Sequence, residues 1–210
     1  MSDAIVHTDA PRLKGARAVV FLSSFCLMTI ELVAGRVMAP YLGVSLYTWT
    51  SVIAMVLLGV TVGNYMGGRL ADRKQSHVRL GLSFIFAGIA SLVILLFAPV
   101  VGAPLRIASW PLWLSSLIFS LAIFSPAAFF LSTVSPQVVK FDLHDLEKTG
   151  ATLGSIGAWS AAGSIAGTFT AGFVFLMYVG TRHLVIALAA TLVLIGLLVA
   201  FQSRLFRPRS

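Results

Sequence analysis

Glu31 is the only acidic side chain inside a long apolar run of this chain, in the segment FCLMTIELVAGR. A carboxylate at such a depth costs on the order of 3 kcal/mol on insertion scales when it is charged and unpaired. It must therefore face the interior of a helix bundle, against a partner or water. Two readings of it stand side by side. One is a proton or cation site, the default role of an acid inside a membrane. The other is a structural pair with Arg36, five residues on, although helix neighbours lie three and four apart. Arg36 can also extend to the outer surface. Trp49, Asn64 and Trp159 are the further polar or aromatic candidates for a solute or proton site. Trp49 otherwise belongs, with Tyr41, Tyr47, Trp110 and Trp113, to an aromatic belt at the membrane surface. Trp159 stands near the inner end of a helix of small residues, where it would fill a crevice.

A second cluster lies in GVTVGNYMGGRLADRK, residues Gly59 to Lys74. Gly59, Gly63 and Gly67 recur every four residues, which puts them on one helix face where another backbone can approach closely. Gly163 and Gly167 repeat the spacing later in the chain, flanked by Gly154, Gly157 and Gly172. Both sets are expected to serve helix packing. The run then turns abruptly polar, with Arg69, Asp72, Arg73 and Lys74. Basic residues at a helix end fix orientation, but an acid among three bases points further, to an ion-paired latch built from Gly68, Asp72 and Arg73. His7, His77, His144 and His183 are placed in tails or loops at no common ligand spacing. There is no phosphate loop, dinucleotide fingerprint or nucleophile elbow. No catalytic residue, metal or cofactor is expected.

The elements that must position these groups follow from composition. Of 210 residues, 58% are hydrophobic and 10% charged, against about 25% charged in a soluble domain. The chain lacks the polar surface to remain in water, so an all-α integral membrane protein is expected. Its net charge of +8 does not point to nucleic acid, because the bases sit in short clusters between apolar runs. The single Cys26 allows no internal disulfide. No removable signal peptide is read in the first residues.

Six spans are expected, at about 18–38, 47–68, 80–101, 112–134, 151–178 and 183–202, between a polar tail (1–17) and a basic one (204–210). Pro40 and Gly43 are read as a connection. Gly102, Pro104, Arg106 and Pro111 are read as a loop, with Pro126 interrupting the fourth span and Pro136 closing it. With both ends inside, the inner segments hold Arg12, Lys14, Arg17, Arg69, Arg73, Lys74, Arg79, Lys140, Lys148, Arg204, Arg207 and Arg209, and the outer ones only Arg36, Arg106 and Arg182. Both termini are therefore expected in the cytoplasm. The polar stretch Lys140 to Lys148, with Asp142, Asp145 and Glu147, is read as a solvated inner loop.

Two resemblances attach to these residues. Gly68, Leu70, Ala71, Asp72 and Arg73 resemble the loop between helices two and three of the major facilitator superfamily. That pattern continues with glycine and further bases, whereas this chain continues Gln75, Ser76, His77, Val78, Arg79. Nearly the whole chain is similar to the membrane domain of fused transporter/spermidine-synthase-like bacterial proteins. The likeness is carried by Glu31 to Gly43, by Ser45, Tyr47, Trp49 and Thr50, by Ser135-Pro136, and by Gly154 to Gly180. It implies a half-size, major-facilitator-like bundle in a bacterial inner membrane. The implied role is a transport-type module for a small, cationic, polyamine-like solute, working with a second copy or with a separate aminopropyltransferase-like partner. The aminopropyltransferase domain of the fused members has no counterpart up to Ser210, so that activity is not expected of this chain. The rival expectation is a non-catalytic anchor or assembly subunit of a larger membrane complex.

Overall fold

The computed structural model describes residues 13, 15–73, 75–143 and 149–205, the last three without their side chains. Arg12, Lys14, Lys74, Lys148, Arg207 and Arg209 lie outside the described residues, as do His7, His144, Asp145 and Glu147. No strand occurs among the described residues. The helices are α1 (Ala16–Leu42), α2 (Leu46–Arg73), α3 (His77–Ile107), α4 (Leu112–Ile123), α5 (Ser125–Ser132), α6 (Val134–Asp142), α7 (Thr149–Phe169), α8 (Leu176–Tyr178) and α9 (Thr181–Leu205). A wider, π-type stretch, Thr170–Phe175, joins α7 to α8. Five helices are long and apolar enough to cross a membrane: α1, α2, α3, α9 and the run Thr149–Tyr178. The pair Leu112–Ile123 and Ser125–Asp142, bent by 46°, makes a sixth when counted as one span.

Several breaks expected at proline or glycine are absent. Pro40 lies inside α1, which ends instead at Gly43, where a φ of 72° turns the chain and the glycine N–H donates to the Ala39 carbonyl. Pro99 and Pro104 lie inside α3, so Gly102 and Arg106 are helical rather than part of a loop. Each proline removes one backbone hydrogen bond. Unwinding the chain in an apolar medium would strand several, so the helix continues. The fourth run breaks at Phe124 and again at Thr133 rather than at Pro126 and Pro136. Both prolines fall in the first turn of the next short helix, α5 or α6, where a missing N–H is harmless. Pro136 thus helps to start α6 instead of closing the span, and Lys140 and Asp142 are helical. His77 and His183 also lie on helices, α3 and α9, not in loops.

Three pairings organise the bundle: α1 with α7, α2 with the broken α4–α6, and α3 with α9. The first two run parallel. A side chain at Gly163 or Gly167 would strike the carbonyls of Phe21 or Phe25, and one at Gly59 or Gly67 would lie 2.7 Å from those of Ser125 or Thr133. The third is antiparallel, with Gly81 against Gly196 and Gly88 against Ala189. Exchanging the first three long helices with the last three leaves this set of pairings unchanged. Direction alternates along the chain, so α1 begins and α9 ends at one end of the bundle. Arg69, Arg73, Arg79 and Lys140 gather at that same end, and Arg36, Arg106 and Arg182 at the other.

The core runs along α1. Val33, Ala34 and Met38 are buried there, packed among Phe84 and Ile94 of α3, Phe119 and Leu131 of the broken span, and Leu192 of α9. Leu96, Phe97, Val100, Leu197, Leu198 and Phe201 are exposed on the outside. Such a surface would drive aggregation in water and is compatible with a lipid-facing wall of a multi-pass membrane protein. Hydrogen bonds tie the helices across the core. Ser23 Oγ donates to the Leu131 carbonyl (3.0 Å), and Ser125 Oγ to that of Met55 (2.8 Å). Gln137 Nε2 donates to Ser83 Oγ (3.0 Å).

Replacing Gly163 by Val would force α7 off the α1 backbone. Chemical unfolding in detergent should then show a loss of about 2 kcal/mol or more. Gly157→Ala, which meets open space, should be neutral or stabilising by up to about 1 kcal/mol.

Candidate functional site

Ser24, Met28, Glu31 and Gly35 follow one another at intervals of four, three and four, so they share one face of α1. All four are half-buried, whereas Ile30, Val33 and Ala34 beside them are fully buried. At one end of this stripe the Trp49 indole of α2 lies against Gly35, 2.9 Å from where a side chain would begin. At the other end Ser24 and Ser160 of α7 share a hydrogen bond of 2.8 Å. The stripe is therefore flanked by α2 and α7, and its carboxylate stands on the incompletely covered side of the central helix.

Glu31 makes no hydrogen bond or ion pair among the described residues. The pair with Arg36 is not formed, because five residues of α-helix rotate the exposed Arg36 off the Glu31 face. The other candidates do not converge on the carboxylate. Asn64 is exposed on α2. It stands about 14 Å from the basic end of the bundle, whereas Glu31 stands about 22 Å from it, at 1.5 Å per residue. Trp159, three turns into α7, packs edge-on against Phe21 at 6.3 Å, below Ser24. Of the five, Glu31 and Trp49 belong to one stripe. Tyr41, expected in the aromatic belt, is half-buried. Its ring covers Gly102 and lies 5.8 Å from that of Phe119.

At the basic end, Asp72 reaches across to Lys140 of α6 (3.3 Å), and among the described residues not to Arg69 or Arg73 of its own turn. Gln75 Nε2 donates to the Lys140 carbonyl (2.7 Å), so the α2–α3 connection is tied twice to the end of α6. Arg69 lies over the Tyr65 ring at 4.6 Å. Gly68 has open space around it, and Arg73 takes no part in the ion pair. Arg73 instead lines a cleft of about 320 Å³ with Arg79, Leu82, Phe86 and Phe130. Neither this cleft nor a second of about 310 Å³ beside Leu58, Val62 and Leu121 includes Glu31.

Gly59, Gly63 and Gly67 are buried against α5 and α6, and Gly163 and Gly167 against α1. Gly154, Gly157 and Gly172 meet nothing among the described residues. Several polar groups escaped the sequence reading: Gln137, Ser83, the Ser24–Ser160 pair, and Ser115, Ser116 and Ser120. The last three hydroxyls are buried on α4 without a hydrogen-bond partner among the described residues. Their signal was plain, since each is a polar residue inside an apolar run. No three His, Cys, Asp or Glu side chains converge among the described residues.

No family model matches this chain, and neither a curated protein nor a solved structure matches it significantly. The class that the fold defines is an α-helical protein with five to six helices able to cross a membrane.

The Asp72–Lys140 pair is 75% and 42% exposed, and exposed pairs are worth about 0–1 kcal/mol. A double-mutant cycle with Asp72→Asn and Lys140→Gln should give a coupling energy in that range, falling as salt is raised.

Proposed function

We propose that the chain is a transport-type module, half of a pathway for a small cationic solute. The observation that carries this reading is Glu31, an intramembrane carboxylate without an ion-pair partner among the described residues, on the half-covered face of α1. A charge is tolerated there if the face borders water or a second subunit. A second copy of the chain is the simplest subunit to complete such a pathway. Two further observations support the reading. Helix pairings that survive exchange of the first and last three helices suit the inverted repeats found within each half of major-facilitator transporters. Crowding of Arg69, Arg73, Arg79 and Lys140 at the end where α1 begins and α9 ends suits cytoplasmic termini in a bacterial inner membrane. The resemblance noted above supports a polyamine-like solute.

One observation favours a different class of function. Gly154 and Gly157 of α7 and Gly172 of the π-type stretch have nothing against them among the described residues, and bare small-residue faces are where membrane helices associate. A non-catalytic anchor or assembly subunit, or a module beside a separate aminopropyltransferase-like enzyme, would use that face. Isolation in mild detergent separates the two, since a homodimer supports transport and a stable complex with other membrane subunits or an enzyme supports the anchor.

In liposomes, wild-type protein should take up spermidine or protons above the protein-free background, and Glu31→Gln should lower the rate about ten-fold or more. Equal rates in wild type, Glu31→Gln and empty vesicles would end the transport reading.

A further inference from the structure

The cleft at the basic end lies between α2, α3 and α5, away from the α1 stripe. Its walls are apolar: Leu82 and Phe86 of α3 stand opposite Phe129 and Phe130 of α5. The Phe86 and Phe130 rings stack at 5.4 Å. Leu82 and Phe86 are also 41% and 46% exposed, so the cleft opens sideways toward whatever surrounds the bundle. The hydroxyls that line it have partners already. Ser83 Oγ donates to the Arg79 carbonyl (3.3 Å) and accepts from Gln137, while Thr133 Oγ1 donates to the Phe130 carbonyl (2.8 Å). A polar solute would therefore find little to bond with along the walls.

The mouth is different. Arg73, the last residue of α2, and Arg79, in the first turn of α3, both line it. Arg79 donates to the Leu70 carbonyl at 3.5 Å, among its interactions. Arg73 has no hydrogen bond or ion pair among the described residues. The nearest acid in sequence, Asp72, is turned to Lys140. Two guanidiniums above an aromatic trough opening sideways match an amphiphile with an anionic head, and guanidinium is the group best shaped for phosphate oxygens.

We propose that this cleft holds one anionic phospholipid of the surrounding bilayer, its phosphate between Arg73 and Arg79 and an acyl chain along Leu82, Phe86 and Phe130. The inference rests on the chain being membrane-embedded, and not on transport through Glu31. At the level of the headgroups, basic pockets between helices gain from the negative charge of the inner leaflet.

The test uses the full chain purified in detergent and returned to nanodiscs of defined lipid. Native mass spectrometry should show phosphatidylglycerol retained about ten-fold over phosphatidylcholine of the same chains. Arg73→Gln should remove most of that preference. Arg69→Gln, at the same end but stacked on Tyr65 outside the cleft, should leave it intact. A phosphatidylglycerol carrying a photoreactive acyl chain should label the peptides with Leu82–Phe86 and Phe129–Phe130 in wild-type protein, a readout that does not depend on any variant folding. Equal retention of both lipids, equal loss in Arg69→Gln and Arg73→Gln, or labelling spread evenly over all outward helix faces would overturn the proposal. So would inorganic phosphate displacing the lipid, since that means a site for the head alone. Failure of the chain to enter nanodiscs would instead overturn the membrane reading beneath it.

Discussion

Helix backbones touch where Gly63, Gly163 and the Gly81–Gly196 pair take side chains out of the interfaces. Every other distance in the bundle depends on these contacts. Lipid tails are as apolar as leucine, so burying apolar surface drives helix association little inside a bilayer, and close packing must do more. At Gly63 a methyl group would strike the Phe129 carbonyl and the Ser132 hydroxyl, so α2 and α5 touch with nothing between them. That closeness also lets a short side chain such as Ser125 reach the Met55 carbonyl of the neighbouring helix.

The same closeness decides what stays open. With α7 drawn onto α1 and α2 onto the broken span, the central helix is covered on most sides but only partly along Ser24, Met28, Glu31 and Gly35. A carboxylate could not sit on the buried side of α1, where Val33 and Ala34 leave no room for water or a counter-ion. Its position on the half-covered stripe follows from helical phase, and Trp49 closes one end because Gly35 admits its ring. At the basic end, the turn after α2 brings Arg73 and Arg79 to one rim while Asp72 is taken up by α6.

Much of the architecture was legible in advance. The apolar runs announced five long helices, and a sixth span where the pair Leu112–Ile123 and Ser125–Asp142 is counted as one, and the four-residue glycine spacing announced smooth faces on α2 and α7. Helix ends were less legible. Pro40 and Pro104 read as stops, yet each lies within a helix, because an apolar surrounding makes exposed backbone costlier than one lost hydrogen bond. Pro136 read as a stop too, but stands in the first turn of α6, where no bond is lost. The site was partly legible. Glu31 stood out, but its company did not, since Trp49 reaches α1 only through the tertiary fold while Asn64 and Trp159 go elsewhere. Asp72 could be seen as an ion-pair former; its partner, 68 residues away, could not.

What the order of residues settled by itself was local. It set apolar length, helical phase, the clustering of bases and the rarity of acids, all of which depend on neighbours within a turn or two. What the packed bundle alone decided was pairing: that α7 lies on α1 and α9 on α3, and that Arg73 and Arg79 share one cleft mouth. Such choices turn on which complementary surfaces meet across tens of residues. Many faces in this chain are nearly equivalent in composition, so only their three-dimensional fit tells them apart.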